Sequence, residues 1–216
     1  MPPVNAARRA VLADAAIALL VEAGVHGVTH RAVDKATGLP AGTASNYFPS
    51  REALLVAVVD RVVDLHLAQM SPSASSAAGS DEADHLVRQP GKVLDGPAAQ
   101  RLMTELLAAS LLQAATDHRQ RYLAIFELQL EALRRPAVRE ALGRLQVRST
   151  AATSAHYEAL GLPVPPDRIP TVLQMYGGVL FTLVSGPVGA MTVESVTPLA
   201  AGIARAALTD GGVLHG

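Results

Sequence analysis

Seven histidines, nineteen carboxylates and no cysteine are the groups from which this 216-residue chain would build a reactive centre. Their spacing does not converge on one. Glu127 and Glu131 stand one helical turn apart, as a paired acid and base would. Glu131, however, also precedes Arg135 by four residues, the spacing of an ion pair on a solvated helix face. His26 and His30 have the i, i+4 spacing of a zinc-binding helix but lack its glutamate, and His156 and Glu158 cannot share a helical face. Asp81-Glu82-Ala83-Asp84 spells the acidic box of helicases, yet no phosphate-cradling Gly-x-x-x-x-Gly-Lys loop accompanies it. The lack of cysteine removes disulfides, thiolate ligands and a thiol nucleophile, and suits a reducing, cytoplasmic setting. The expectation is a protein with no catalytic centre, no metal and no cofactor.

The elements that position the remaining polar groups are helical. Half of the residues are hydrophobic, 17% are charged and 3% are aromatic, with a mean hydropathy of +0.26. That is enough apolar material for a core and for a surface buried between subunits. A first helix is expected from Asn5 to Ala23, with Leu12, Ala16, Leu19 and Ala23 as its apolar stripe and Gly24 ending it. Thr29 caps a second helix reaching Ala36, with Ala32, Val33 and Ala36 inward. Thr37-Gly38-Leu39 turns the chain, and Pro40 opens a brief third helix from Ala41 to Phe48. Pro49 breaks that helix, and Ser50 caps a long fourth one bearing Leu55, Val58, Val59, Val62 and Val63.

Residues 71–80 are only Ser, Ala, Pro and Gly, and with Pro90-Gly91 and Gly96-Pro97 they predict a linker over 71–97, with a short helical piece around Glu82 to Val87. Helices then follow at 98–115, at 119–135 with Tyr122, Phe126, Gln129 and Leu133 on one face, and from Pro136 to Leu160. The last two run from Asp167 to Ser185 and from Glu194 to Leu208. Thr171 to Val193 carries no charge over 23 positions, but its glycines and Gly186-Pro187 leave too little continuous helix for a bilayer, so a buried interface helix is expected and no membrane contact. The fold class is all-α. Residues 1–70 form the first domain, 71–97 the linker, and 98–216 the second domain.

Three short helices with a Gly-containing turn between the last two have the layout of a helix-turn-helix, whose second helix enters the DNA major groove. Net charge is −1, and residues 1–55 hold Arg8, Arg9, Arg31, Lys35 and Arg51 against Asp14, Glu22, Asp34 and Glu52, so a few placed cations must serve in place of a basic surface. The run Gly38-Leu39-Pro40-Ala41-Gly42-Thr43-Ala44-Ser45-Asn46-Tyr47-Phe48-Pro49-Ser50-Arg51-Glu52-Ala53-Leu54-Leu55 closely resembles the signature of the tetracycline repressor (TetR) family. Gly24, Gly27, Val28 and Thr29 match the family's exit from helix one and start of helix two. The resemblance is strong over residues 8–66 and architectural beyond them. It departs at Pro40, where the family has a capping Ser or Thr, and at Ala44 and Ser45, where Leu and Tyr are frequent.

The resemblance implies a transcriptional repressor released from a palindromic double-stranded DNA operator by a small-molecule effector. Thr29, Arg31, Tyr47 and Arg51 would meet phosphate, and Ala41, Thr43, Ser45 and Asn46 would face the groove. Asn46 has the amide that pairs with adenine, and Thr43 a methyl for thymine. Arg8 and Arg9 would reach phosphate or a minor groove. Phe48 is expected in the core and Tyr47 half-exposed. A palindrome requires a homodimer with reading helices about 34 Å apart. In the family the last two helices pair as a four-helix bundle, here through Leu173, Tyr176, Leu180, Phe181 and Val184 on one and Leu199, Ile203 and Ala207 on the other. Met103, Leu107, Tyr122, Phe126, Gln129 and Met175 are the candidate walls of an effector pocket. The alternative is a helical carrier or enzyme whose N-terminal helices are only structural; it would need converging titratable groups in 98–216, which the sequence does not display.

Overall fold

A computed structural model of the chain describes residues 5–69, 93–187 and 191–208. The linker expected before residue 93, including the helical piece at Glu82 to Val87, lies outside the described residues. Those residues are helical: α1 (Ala6–Gly27), α2 (His30–Thr37), α3 (Thr43–Tyr47), α4 (Arg51–Gln69), α5 (Gly96–Ala115), α6 (Arg119–Ala132), α7 (Pro136–Ala159), a 3-10 turn (Pro166–Arg168), α8 (Ile169–Ser185) and α9 (Val193–Leu208). They group into two compact units. One comprises Met1–Leu67 and Arg119–Val147, the other Ala68–His118 and Arg148–Gly216, so α7 contributes its first half to the former and its second half to the latter.

In the first unit α1 packs on α2 and α6. Asn5 caps α1 by accepting from the Arg8 amide at 3.1 Å, and Gly24, at φ 64°, interrupts the helical backbone before a last turn to Gly27. The buried face is Leu12, Ala13, Ala16, Ile17 and Leu20, whereas Leu19 is half-buried and Ala23 exposed. The stripe is therefore rotated from the expected one, because two neighbours press on the helix and widen its apolar face. By length and hydropathy α1 is also the one described helix able to cross a membrane; here its buried residues belong to the core of this unit.

Two arginines on α4 tie this unit together. Arg61 makes a two-pronged pair with Asp14 on α1, at 2.7 and 2.9 Å. The Arg51 guanidinium donates to the Val28 carbonyl at 3.0 Å and to that of Val25, tying the last turn of α1 and its link to α2 onto α4. Ser50 caps α4 as expected, accepting from the Ala53 amide at 3.0 Å. At the far end of α4, His66 packs edge-on against Tyr122 of α6, its Nδ1 3.4 Å from the phenol oxygen, and Arg121 donates to the Leu65 carbonyl at 3.3 Å. Burial, and then the Arg121 charge, hold the His66 imidazole below its ordinary value of 6.5. The Glu131–Arg135 pair forms, but Glu131 is buried, not solvated. Gln129 is exposed on α6, and Leu133, past the helix end at Ala132, is 76% exposed, so neither joins the buried face of Tyr122.

In the second unit α5 packs most extensively on α9, with α8 against both. Gly96-Pro97, expected in the linker, instead forms the first turn of α5, because Asp95 accepts the Ala98 amide at 2.8 Å and proline suits a first turn. The apolar residues of α8 and α9 serve this chain's own core first. Leu180, Val184, Ile203 and Ala207 are each at most 1% exposed, which corrects their placement at a surface between subunits. Phe181 and Leu199 remain 51% and 41% exposed, and Leu173 and Tyr176 are half-buried, with the Tyr176 hydroxyl 2.8 Å from that of Ser110.

Replacing Arg51 by Ala strands the partly buried Val28 carbonyl and leaves that of Val25 with only the Val28 amide at 3.2 Å. The expected cost is about 1.5–3 kcal/mol, seen as a melting temperature several degrees lower, with Lys restoring little because its ammonium lacks the guanidinium's fork. A melting temperature unchanged by Arg51→Ala would show that the link holds itself. His66 and His156 are both held down by burial. The unfolded chain therefore takes up protons near pH 6.5 that the native state refuses, so stability is full above that pH and declines as pH falls below it. His66→Phe keeps the ring packing and should flatten the fall in melting temperature between pH 7 and 5.

Candidate nucleic-acid interface

The second, third and fourth helices follow one another through short turns. Thr29 caps α2 through its hydroxyl, which accepts from the Ala32 amide at 3.1 Å. α2 closes on Gly38, whose left-handed backbone (φ 67°) lets its N–H turn back to the carbonyls of Asp34 and Lys35. Pro40 and Ala41 lie in the turn and not in the third helix, which begins at Thr43 after Gly42, itself at φ 91°. A glycine at this second left-handed position allows the chain to reverse into a helix only five residues long.

The missing cap at Pro40 is replaced from elsewhere. Asp34 on α2 is 5% exposed, and its two oxygens accept the Gly42 amide at 2.8 Å and the Ala44 amide at 2.7 Å. These are the donors that a helix start leaves unsatisfied. The other end of α3 is also tied. His30 Nε2 lies 2.7 Å from the Phe48 carbonyl; a carbonyl only accepts, so this nitrogen carries the hydrogen. Arg9 donates to the Tyr47 carbonyl at 3.4 Å and sets its guanidinium over the Phe48 ring, 4.7 Å from the centroid.

Burial separates the two sides of this segment. Ala44 and Phe48 are buried, whereas Ala41, Ser45 and Asn46 are exposed and Thr43 and Tyr47 half-buried. Phe48 in the core and Tyr47 at its edge match the sequence expectation. The Thr43 hydroxyl donates to the Pro40 carbonyl at 2.6 Å and that of Ser45 to the Gly42 carbonyl at 2.9 Å, so both hydroxyl protons are spent on the backbone. Thr29 and Arg31 are exposed at the start of α2. Arg51 is engaged with backbone carbonyls and Arg9 with α3, so both act first as braces. Neither Asp34 nor His30 stood out in the sequence. The signal was available for Asp34: once Pro40 deprives α3 of a cap, a nearby acceptor is required, and Asp34 is the carboxylate of the preceding helix.

The six candidate pocket walls are divided between the two units. Met103 and Leu107 are buried on α5, while Met175 lies 37% exposed beside an open pocket of about 190 Å³ with Arg168, Thr171, Val172 and Ala206. Tyr122, Phe126 and Gln129 belong to the other unit, buried, half-buried and exposed in turn. Among the described residues no three metal-ligating side chains converge.

Comparison with known proteins covers most of the chain. Residues 12–58 match the model of bacterial regulatory proteins of the tetR family, and residues 98–210, more than half of the chain, match that of the tetracyclin repressor-like C-terminal domain. No curated protein sequence matches. Among solved structures, a transcriptional regulator from Rhodococcus sp. Rha1 superposes with a TM-score of 0.68 at 18% identity, covering 94% of this chain and 96% of its own. A TetR-family member from Streptomyces coelicolor A3 gives 0.65 at 20% identity, covering 94% and 99%. The multidrug binding protein EbrR, solved with ethidium, gives 0.58 at 20%, again covering 94% and 99%. At such identities these structures testify to the fold, and the family models to membership. The two matched segments coincide with the helix-turn-helix and the helical remainder just described, and the chain belongs to the TetR family of DNA-binding transcriptional regulators.

Proposed function

We propose that this regulator is a cytoplasmic, homodimeric repressor that leaves a palindromic operator when a small molecule binds its second domain, residues 98–216. The observation that carries the DNA half is the two-sidedness of α3. Ala44 and Phe48 anchor it, while Ala41, Ser45 and Asn46 stay exposed next to the open start of α2. In this reading Thr29 and Arg31 meet phosphate at the helix start, Tyr47 meets the backbone beside α3, and Asn46 pairs with adenine in the major groove. The Thr43 methyl is the part of that side chain left for thymine, since its hydroxyl proton is spent. Arg51 supports the head from behind.

For dimerisation, Met175, Gly178, Phe181, Leu199 and Gly202 are exposed along α8 and α9. Large apolar side chains beside glycines suit close packing of helix on helix across a two-fold axis, while Leu180, Val184 and Ile203 back the face from inside. The effector half draws on EbrR, which is solved with ethidium. A ligand that prefers the conformer with wrongly spaced heads lowers operator affinity by that preference alone.

Selection of duplexes from a randomised pool tests the first half. The wild type should enrich a palindrome and lose affinity steeply with salt; enrichment of nothing, at any salt, ends the proposal. Arg31→Ala and Tyr47→Ala should weaken all duplexes by roughly ten-fold, whereas Asn46→Ala should change the preferred base at one position per half-site. Sedimentation of Phe181→Glu with Leu199→Glu should show a monomer where the wild type is a dimer. A doubly substituted protein that stays dimeric puts the interface elsewhere.

A further inference from the structure

His30 and Asp34 stand four residues apart on α2, hence on one face of it, and they grip opposite ends of α3. Asp34 takes the Gly42 and Ala44 amides at the start, and His30 gives a hydrogen to the Phe48 carbonyl just past the end. We infer that this pair is a two-point clamp that sets the pose of α3, and so determines sequence selectivity without touching DNA. The inference rests on the DNA-reading role proposed for α3.

A five-residue helix has no stability of its own, since forming its first turn already fixes more backbone than it gains in hydrogen bonds. Its apolar anchors are Ala44, inside the helix, and Phe48, just beyond it. Apolar contact is non-directional, and a methyl group offers little area, so burial alone leaves α3 free to slide or roll on α2. Hydrogen bonds at both ends restrict those freedoms, because each weakens once donor and acceptor part by more than about 0.5 Å or the angle falls below about 120°. Base pairing by Asn46 needs its amide held within about 0.5 Å and 10–20° of the productive geometry. Asp34 and His30 supply that constraint from a single rigid neighbour. Arg9 supports the same end, through the Tyr47 carbonyl and the Phe48 ring.

Two measurements on the full-length protein decide the matter. The first is amide hydrogen exchange without DNA. Asp34→Asn, which turns one acceptor into a donor facing an N–H, should speed exchange at Gly42 and Ala44 by about ten-fold or more while core amides of α1 and α4 stay protected. Unchanged exchange there overturns the clamp. The second is the ratio of affinities for the duplex enriched by the wild type and for a scrambled duplex of equal length, at one salt concentration. Asp34→Asn and His30→Phe should cut that ratio by about ten-fold, and His30→Gln, whose amide can still donate to Phe48, should keep it within about two-fold of wild type. Equal losses on both duplexes, with a parallel drop in melting temperature, would mean a general structural role and overturn the inference. Should Asp34→Asn fail to fold, the contrast between His30→Phe and His30→Gln decides it. A wild type that enriches no duplex refutes the DNA-reading role itself, and amide exchange then still decides whether the two side chains hold α3.

Discussion

Two oxygens of Asp34 accept the Gly42 and Ala44 amides, and the form of the reading head follows from that contact. A helix of five residues cannot pay for its own nucleus, and Gly42 at its cap position has no side chain to begin one. A side chain from the preceding helix does the capping instead, which makes α2 and α3 a single mechanical piece. The same contact accounts for the buried carboxyl on α2. Such a group is costly to desolvate unless both oxygens find donors, and here they do.

The helices around this piece are joined by a similar device, arginines reaching over a turn or a groove to oxygen acceptors. Arg51 closes the link between α1 and α2, Arg61 pairs with Asp14, and Arg9 ties α1 to the end of α3. Residues 1–70 hold five arginines, and three of them, Arg9, Arg51 and Arg61, are engaged within the unit. Several of those guanidinia are structural, and cations left to meet phosphate are few. An interface of that kind depends on placement more than on overall attraction, so the rigidity of α2 and α3 matters more than it would on a strongly basic protein.

The second unit shows how one apolar pattern serves two ends. α8 carries apolar residues on most of its circumference, and periodicity does not say which row faces inward. The structure divides them: Leu180 and Val184 inside with Ile203, Phe181 outside with Leu199. The rows differ by about one residue step around the helix, and only the positions of α5 and α9 distinguish them.

Local rules made the helices and their order readable. Thr29 and Ser50 as caps, Gly38 as a stop and Pro136 as a start are short-range facts of backbone hydrogen bonding, and each stands where the sequence placed it. The family signature from Gly38 to Leu55 likewise lay in the sequence. Tertiary structure decided what depends on partners distant along the chain: that Asp34 caps α3, that Arg51 braces a turn 23 and 26 residues away, and which face of α1 or α8 is core. Periodicity specifies that a helix has an apolar side, and caps specify where it ends. The rotation of that side and the destination of a long charged side chain are set by neighbouring elements, whose positions no local pattern encodes.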